Sequence, residues 1–381
     1  MTKRLSHGMG LEPVEPDWPA LTEAEVATLL AGFPQVGGEA RLLWHSPRPF
    51  SAAALVATDS GPLFVKRHHP SVRTAAWLAE EHAFLDHLAR RGAPVARVLR
   101  DGAGRSAIAR DGWTYEVHEK AEGLDLYRDA LSWTPFQHNA HAFAAGAALA
   151  TLHRAAEGFD APSRSAGVLL SNLNLFGAAD PLAAIEATFP QAPALADYLQ
   201  ARPWKQTLGE LHLPLQRTLL PYLQRQPALW THNDWHASNL LWSEDGPQAQ
   251  VAAVLDFGLS DRSFALFDLA TAIERNLVPW LELDQGRSAV ADLDALDALL
   301  AGYASVRPLG RDDLLALAAL LPLVHADFAL SEVIYFHGIL GQAASASLAY
   351  DNYLIGHTRW FLDSEGQRLL NHVRQLAAKV A

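Results

Sequence analysis

Short apolar runs with strand-like spacing dominate the first third of the chain. Between Arg41 and Glu119 five such runs are separated by turns containing Gly, Asp and Pro: LLWHS, AAALVAT, PLFVKRH, VARVLRD and WTYEVHE. A helical period interrupts them from Ser71 to Arg90, and the sequence RGAP ends that helix. The pattern predicts a small antiparallel sheet with one helix.

After Ala121 the hydrophobic pattern becomes helical. Long apolar periods occur at 136–156, 181–200, 265–283, 289–304 and 311–340. A strand pair, Asn239–Trp242 and Val251–Leu255, interrupts them around the turn SEDGP, and a leading helix over 21–33 opens on a Thr cap. We therefore predict an α+β fold with a sheet-rich lobe, residues 1–119, and a helical lobe, residues 120–381.

Composition restricts the classes of function. The chain has 381 residues, half of them hydrophobic, and a net charge of -12, which argues against a nucleic-acid partner because phosphate binding needs clustered Lys and Arg. We expect no membrane span, since no apolar run approaches about 20 residues, and no secretory signal, so a cytoplasmic location is the expectation. The absence of Cys excludes thiolate nucleophiles and zinc–thiolate sites.

The segment THNDWHASNLLW, followed by VLDFG, carries the candidate chemistry. Asp234 and Asn239 have the H-x-D-x-x-x-x-N spacing of a phosphotransferase catalytic loop, and Asp256 follows in a D-F-G. Phosphoryl transfer from ATP needs Mg²⁺, which prefers carboxylate and amide oxygens. We expect Asn239 and Asp256 to bind the metal and Asp234 to accept the proton of the attacking hydroxyl.

The same segment allows a second interpretation. His232, Asp234 and His236 alternate in a way that would also suit a metal cluster, as in a metallohydrolase. That interpretation leaves Asn239 and the D-F-G without a role. We expect His232 to brace the loop.

An ATP-dependent kinase also needs a lysine on a strand of the first lobe and a glutamate on the following helix. Lys66, in PLFVKRH, shares a strand face with Phe64 and is expected to bind the nucleotide phosphates. Glu81 is its expected ion partner, because it precedes Leu85 at helical spacing, whereas Glu80 is the less favoured candidate.

With these motifs placed, the chain resembles the aminoglycoside phosphotransferase and choline kinase superfamily, which also contains homoserine kinases and a stress-response protein kinase. RGAPVARVL and ALATLH resemble segments of that family, and THNDWHASNLLW with LDFG resembles its signature. The resemblance implies a protein-kinase-like fold and the roles given above for Lys66, Glu81 and the loop residues. The segment YEVHEKAEGLDL resembles the family's hinge, which implies nucleotide contacts at Val117 and His118, and Asp268 matches an aspartate that supports the catalytic region.

The loop expected over the phosphates departs from protein kinases because WHSPRPFSAAALV contains no Gly. The small side chains from Ser51 to Ala53 would still let backbone N–H groups approach phosphate, and Arg48 would add positive charge. ATP and GTP both remain open as the nucleotide.

Candidate acceptor residues lie after the catalytic loop, and they are His236, Glu274, Asp327 and Tyr335. An acidic and aromatic wall would favour a cationic amine or amino alcohol. The leading hypothesis is a kinase for a hydroxyl of a small molecule, with amino acid, sugar and aminoglycoside acceptors also open. A Ser/Thr protein kinase is the alternative, and the lack of an activation loop after the D-F-G favours a small acceptor. A metallohydrolase and a silent ATP-binding module come after these.

Overall fold

The computed structural model describes residues 5–8, 10–283 and 285–380. Strands concentrate before residue 120 and helices after it, as the hydrophobic pattern predicts. The strands are β1 (Ser6–His7), β2 (Pro13–Val14), β3 (Arg41–His45), β4 (Ala52–Ala57), β5 (Leu63–His68), β6 (Ala107–Arg110), β7 (Trp113–Glu119), β8 (Leu229–Thr231), β9 (Leu240–Trp242), β10 (Val251–Val254) and β11 (Asp261–Ser263).

Strands β3 to β7 form an antiparallel sheet in the order β3-β4-β5-β7-β6. Its register places Lys66 of β5 opposite Glu116 of β7, so these side chains are cross-strand neighbours. The predicted lobe boundary coincides with the end of β7 at Glu119, although the division into two domains stays a prediction.

The predicted strand VARVLRD is wrong. The segment runs between two sheets, because the Pro94 carbonyl accepts from the Val254 N–H while the Leu99 N–H donates to the Val117 carbonyl. Its hydrogen bonds are thus divided between two partners and no continuous ladder forms.

The helices are α1 (Glu23–Leu30), α2 (Ala75–Arg90), α3 (Asn139–Ala156), α4 (Pro181–Thr188), α5 (Pro193–Gln200), α6 (Trp204–Leu211), α7 (Leu213–Leu223), α8 (Ala265–Leu277), α9 (Trp280–Leu283), α10 (Leu293–Val306), α11 (Arg311–Leu320), α12 (Ala326–Val333), α13 (Ala343–Ser347), α14 (Thr358–Leu362) and α15 (Ser364–Lys379). The predicted helices 181–200 and 265–283 are each divided in two, and the breaks contain Pro190 and Pro279. The predicted helix 311–340 instead continues through a 3₁₀ turn, Leu321–Leu323, which contains Pro322, and ends as a π-helix, Ile334–Ile339. Proline has no N–H to donate and clashes with the preceding turn.

Two apolar cores support the two halves of the molecule. One lies between the sheet and α1 and includes Val26, Val56 and Val65. The other fills the helical half and reaches under α2 through Phe84 and Leu88. Helix α2 therefore connects the sheet to the helical core, and the site lies along this junction.

The residues before α1 also join the two halves. The Trp18 indole N–H donates to the Tyr335 hydroxyl at 3.1 Å, and that hydroxyl donates to Asp17 at 2.8 Å. The Trp18 ring stacks on His69 with 4.7 Å between ring centroids. Asp17 and Trp18 thus form a strap between the helices and the sheet.

One helical stretch, Arg311–Ile339, is long and apolar enough to cross a membrane by length and composition. The expectation that no stretch reaches this length is therefore wrong. Of its most apolar window, 94% is buried inside the protein, which is the environment of a core helix.

Candidate functional site

Two adjoining cavities lie between the sheet and the helices. We call the first the sheet cavity, whose lining includes Trp44, Leu55, Phe64, His118, Leu241 and Val254. We call the second the helix cavity, whose lining includes Ser51, Trp133, Asp234, His236, Arg275 and Glu332. Five residues border both cavities, and they are Arg48, Lys66, Glu81, Asn239 and Asp256.

The loop from Thr231 to Asn239 is held from beneath by Asp268 of α8. The fully buried Asp268 carboxylate accepts the backbone N–H groups of His232 and Asn233, each at 2.8 Å. Its Oδ2 also lies 3.0 Å from His153 Nε2. Asp268 therefore contacts the loop directly, as the family resemblance implied.

A second support for this loop was missed in the sequence. The Asn276 side-chain oxygen accepts the Ala237 N–H at 2.8 Å, and its amide nitrogen donates to the Trp235 carbonyl at 2.9 Å. Asn276 lies two helical turns after Asp268 on α8. This i, i+8 spacing of polar residues in a buried helix could have identified Asn276 from the sequence.

Both ring nitrogens of His232 are occupied within the loop. Nε2 donates to the Leu255 carbonyl at 2.8 Å, and Nδ1 accepts the Asp234 N–H at 3.2 Å. His232 therefore braces the loop against the strand before Asp256, as expected. Because it has no nitrogen left for a cation, the His232–Asp234–His236 pattern does not supply the metal cluster of a hydrolase.

Two polar residues of the site have left-handed backbones, Asn233 with φ 62° and Asp256 with φ 56°. Asn and Asp adopt this conformation more readily than other residues with a Cβ. Positive φ in non-Gly residues clusters at functional sites, where the surrounding structure holds it in place. Here the hydrogen bonds of Asp268 hold the turn at Asn233.

Asp234 faces the helix cavity among cationic and polar groups. The Asn239 amide nitrogen donates to the Asp234 carboxylate at 3.1 Å, and His236 Nε2 and Arg275 lie 3.5 and 3.7 Å from its oxygens. Burial raises the pKa of Asp234, but His236 and Arg275 outweigh burial and hold the pKa well below its usual value. The carboxylate is therefore ionised at neutral pH.

Lys66 has different ion partners from the one predicted. Its Nζ lies 3.0 Å from Asp256 Oδ1 and 3.7 Å from Glu116 Oε1. Burial opposes its charge, but Asp256, Glu116 and the more remote Glu81 together raise the pKa of Lys66. The predicted Lys66–Glu81 ion pair is wrong, because Glu81 pairs with Arg164 at 3.3 Å.

Glu116, which was not among the predicted site residues, is the centre of a buried network. Its Oε1 accepts from His68 Nε2 at 2.9 Å, and its Oε2 accepts from His82 and His118 at 2.8 and 2.9 Å. His118 lines the sheet cavity. The Val117 side chain points into the sheet core and is fully buried. The nucleotide contacts of His118 and Val117 stay predictions.

Asn239 and Asp256 offer oxygen ligands at the junction of the cavities. The Asn239 amide nitrogen is bound to Asp234, which leaves its amide oxygen for a cation. Burial raises the pKa of Asp256, but Lys66 outweighs burial and lowers it. One carboxylate and one amide oxygen fit the hard-oxygen preference of Mg²⁺.

The glycine-free loop between β3 and β4 is anchored by its own side chains. Arg48 donates to the Ala130 carbonyl at 2.8 Å and to Ser132 at 3.3 Å. Phe50, with φ 72°, packs edge-on against Tyr335 with ring centroids 5.0 Å apart. These contacts to the helical half hold the loop over the cavities, with Ser51 in the lining of the helix cavity.

Of the four predicted acceptor residues, only His236 lines the helix cavity. Asp327 accepts the backbone N–H groups of Leu175 and Phe176, at 2.7 and 3.0 Å, and Tyr335 binds the strap. Glu274 is buried behind Arg275 and does not line either cavity. The predictions for Asp327, Tyr335 and Glu274 as cavity residues are therefore wrong.

Two buried arginines near Asp256 were also missed. Arg73 donates to the carbonyls of Val168, Leu169 and Gly258, and burial lowers its pKa to about 10. Arg164 donates to the Gly258 carbonyl at 2.8 Å in addition to its Glu81 pair. Both residues fix the turn after Asp256, and their isolated positions in loops gave no sequence signal.

The chain is similar to known proteins in sequence profile and in fold. The sequence profile described as the phosphotransferase enzyme family matches residues 49–309. No curated protein sequence matches.

Among solved structures, a microcompartment-associated aminopropanol kinase is 20% identical, covers 91% of this chain and 99% of its own, and has a TM-score of 0.56. An amicoumacin kinase bound to AMP-PNP, Ca²⁺ and its ligand is 14% identical, with coverages of 88% and 95% and a TM-score of 0.55. An aminoglycoside phosphotransferase from Alicyclobacillus acidocaldarius is 16% identical, with coverages of 95% and 98% and a TM-score of 0.51. At these identities the likeness shows a shared fold.

Proposed function

Because this chain belongs to the phosphotransferase enzyme family, we propose that it transfers the γ-phosphoryl group of ATP to a hydroxyl group of a small molecule, with Mg²⁺ as the cation. The observation that carries this proposal is the meeting of Asp234, Asn239, Asp256 and Lys66 where the two cavities join. One cavity would hold the nucleotide and the other the acceptor.

The sheet cavity and the residues that border both cavities would have different roles during phosphoryl transfer. The base and ribose would occupy the sheet cavity, where Trp44, Leu55 and Leu241 supply apolar walls. Lys66 and Arg48 would bind the phosphates, and a bound Mg²⁺ on Asn239 and Asp256 would neutralise phosphate charge. Charge neutralisation and positioning carry most of the catalysis in this reaction class.

Asp234 would orient the acceptor hydroxyl in the helix cavity. The acceptor oxygen forms a bond to the γ-phosphorus, the bond to the β-phosphate oxygen breaks with its electrons leaving on ADP, and the hydroxyl proton passes to Asp234. Its lowered pKa makes Asp234 a weak base. Such a base receives the proton late, after the forming O–P bond has made the hydroxyl acidic.

The helix cavity favours an acceptor that carries an amine. Glu332 lines this cavity and is 6% exposed, and among the described residues no cation lies within ion-pair distance of it. The aromatic rings of Trp133, Phe328 and Tyr353 line the same cavity. An ammonium group would find a carboxylate and aromatic faces together there. The observations therefore favour an amino alcohol or another amine-bearing hydroxyl compound.

The titration of Glu332 gives this acceptor assignment a pH dependence. Burial raises the pKa of Glu332 to about 8, opposed by Arg275 and assisted by Glu274 and Asp234. Because the pKa is raised, the carboxylate is protonated at lower pH and becomes charged as the pH rises through this value. We expect KM for an amine-bearing acceptor to fall between about pH 7 and about pH 9.

Glu332→Gln provides the control for this prediction. The variant should raise KM for the amine-bearing acceptor by about 10-fold at pH 9, which corresponds to the loss of one ion pair, and should abolish the fall with pH. The KM for ATP should stay unchanged. A pH dependence of acceptor KM that persists in the variant would assign it to another group.

A second prediction concerns the carboxylate that positions Lys66. Glu116→Gln should lower kcat/KM for Mg·ATP by about 10- to 100-fold, because the ion pair with Lys66 is worth about 1.5–3 kcal/mol. Glu81→Gln should instead lower the melting temperature, because it leaves the buried Arg164 without its charged partner. Steady-state kinetics and thermal unfolding of both variants separate the two roles. A larger kinetic loss in Glu81→Gln would reverse the assignment.

The direct test of the proposed function is a coupled ADP-release assay with ATP or GTP and a panel of acceptors. The panel contains amino alcohols, cholines, amino acids, sugars and aminoglycosides, each with a matched compound that lacks the hydroxyl. We expect turnover to require Mg²⁺ and an amine-bearing hydroxyl compound. Release of ADP only with a protein acceptor would favour the Ser/Thr kinase alternative, and no stimulation by any acceptor would favour a silent nucleotide-binding module.

A further inference from the structure

A second group of metal-ligand atoms is buried behind the wall of the helix cavity. Glu274 comes from α8, His325 directly precedes α12, and His357 ends the π-helical segment Leu348–His357. One ligand atom from each residue lies within 4.8 Å of the other two. Glu274 Oε1 and His357 Nδ1 are 3.7 Å apart. Three distant segments therefore bring two imidazoles and one carboxylate to one point.

Three of the four imidazole nitrogens of His325 and His357 have no hydrogen-bond partner within the described ranges. Both ring nitrogens of His357 and the Nδ1 of His325 are buried and unsatisfied. The two residues are 1% and 8% exposed. Native proteins satisfy nearly all buried polar atoms, and an unsatisfied buried nitrogen costs free energy. Unpaired nitrogens gathered beside one carboxylate point to a missing ligand.

The Glu116 network in the sheet half is a buried cluster whose histidine Nε2 atoms and carboxylate hydrogen-bond to one another. There the Nε2 atoms of His68, His82 and His118 each donate to the Glu116 carboxylate, at 2.8–2.9 Å. These nitrogens are already satisfied by protein atoms. The cluster in the helical half contains similar residue types but lacks these hydrogen bonds.

We propose that Glu274, His325 and His357 hold a divalent transition-metal ion, for which zinc is the best fit. Two imidazoles and one carboxylate form a common ligand set for zinc, with bonds of about 2.0–2.2 Å. Tetrahedral bonds of that length place neighbouring ligand atoms about 3.4 Å apart. The observed 3.7 Å between Glu274 and His357 is close to this value. Mg²⁺ is disfavoured here because it prefers oxygen ligands.

Neighbouring side chains hold both histidine rings of the triad. Thr358 Oγ1 lies 3.4 Å from His325 Nε2, where it orients that ring. The Trp280 ring stacks on His357 with 3.8 Å between centroids and an interplanar angle of 11°. Both histidine rings are thus held in place by neighbours.

A metal ion here would stiffen the acceptor side of the site. Glu274 precedes Arg275, whose guanidinium lies 3.7 Å from Asp234. The His357 ring packs against Trp133 and Tyr353, which line the helix cavity. The ion would therefore fix the wall that holds Arg275 and the two aromatic rings, without itself touching the acceptor.

The experiment uses the full-length protein and Zn²⁺ as the probe. The protein is stripped with a chelator, incubated with Zn²⁺, dialysed and analysed for metal by mass spectrometry. We expect about one tightly held zinc per chain and a higher melting temperature with zinc than without. His325→Gln and His357→Gln should each lose this zinc. His141→Gln should keep it, because His141 is a buried histidine with both nitrogens already hydrogen-bonded.

Two outcomes would overturn the proposal. Zinc retained at full stoichiometry in both triad variants would place the metal elsewhere, including the Glu116 network. If the variants do not fold, Co²⁺ bound to the stripped wild-type protein decides the matter. Visible d–d absorption of tetrahedral Co²⁺ with nitrogen and oxygen ligands that persists in His118→Gln, a variant of the Glu116 network, supports the site, and its absence refutes it. Both readouts measure bound metal, so they are independent of the proposed kinase activity.

Discussion

The Asp234→Asn variant is expected to lose turnover by about 10²- to 10⁴-fold, the contribution of a positioned general base. Asn has the same size as Asp and still accepts a hydrogen bond from the Asn239 amide, but it cannot take the hydroxyl proton. The loss should appear in kcat, while KM for ATP stays within about twofold of wild type, because the residue faces the helix cavity. The ADP-release assay with the best acceptor measures it.

Asp245→Asn is the matched control for this substitution. Asp245 is exposed in the turn between β9 and β10 of the same segment, so its replacement should leave kcat unchanged. The lowered pKa of Asp234 also predicts a pH dependence, because the carboxylate stays charged at acidic pH. At saturating acceptor, the contribution of Asp234 to kcat should therefore be lost only when the pH approaches that lowered pKa. Turnover in Asp234→Asn within about threefold of wild type would remove Asp234 from the role of base.

The arrangement of the catalytic residues could be predicted from the sequence because these residues lie close together along the chain. Asp234 and Asn239 are five residues apart on one loop, and the β9–β10 hairpin returns the chain to Asp256. Short spacing and a hairpin leave few ways to arrange the three side chains. The structure brings them together as expected.

The ion partner of Lys66 could not be predicted in the same way. Sequence order favoured Glu81, whereas the cross-strand register of β5 and β7 places Glu116 opposite Lys66. Register depends on pairing across the sheet, which spacing along the chain does not reveal. One available signal was overlooked, because Asp111-Gly112 is a typical hairpin dipeptide and both residues have positive φ. That turn predicts the missed strand β6 and its hairpin with β7.

The acceptor residues show a second limit of sequence patterns. Helical spacing places Asp327 and Ser331 on one face, and both side chains accept backbone N–H groups from the 170–176 segment. The neighbouring face of the same helix, with Phe328 and Glu332, lines the helix cavity. Periodicity shows which residues share a face, but the direction of that face depends on the packing of distant segments. The C-terminal helices α14 and α15 were not predicted, and α15 packs against α11.

Asp256→Asn is the second variant with a large expected effect. Asp256 has φ 56°, a conformation that Asn also tolerates, so the substitution removes charge with little strain on the backbone. The loss of one anionic ligand should weaken Mg²⁺ binding and lower kcat/KM for Mg·ATP on the order of 10³-fold, about 4 kcal/mol. The variant should also need a higher Mg²⁺ concentration for half-maximal rate. Rates over a range of Mg·ATP concentrations measure kcat/KM, and titrations of Mg²⁺ at a fixed ATP concentration measure the Mg²⁺ requirement.

Asp111→Asn separates this loss of charge from any backbone effect. Asp111 is exposed in the β6–β7 turn and has φ 49°, so the control makes the same substitution in a similar conformation away from both cavities. It should leave both the Mg²⁺ dependence and the melting temperature unchanged. In Asp256→Asn the freed Lys66 keeps Glu116 as an ion partner, and the fold should therefore survive. An unchanged Mg²⁺ dependence in a folded Asp256→Asn protein would mean that the metal is held by other oxygens.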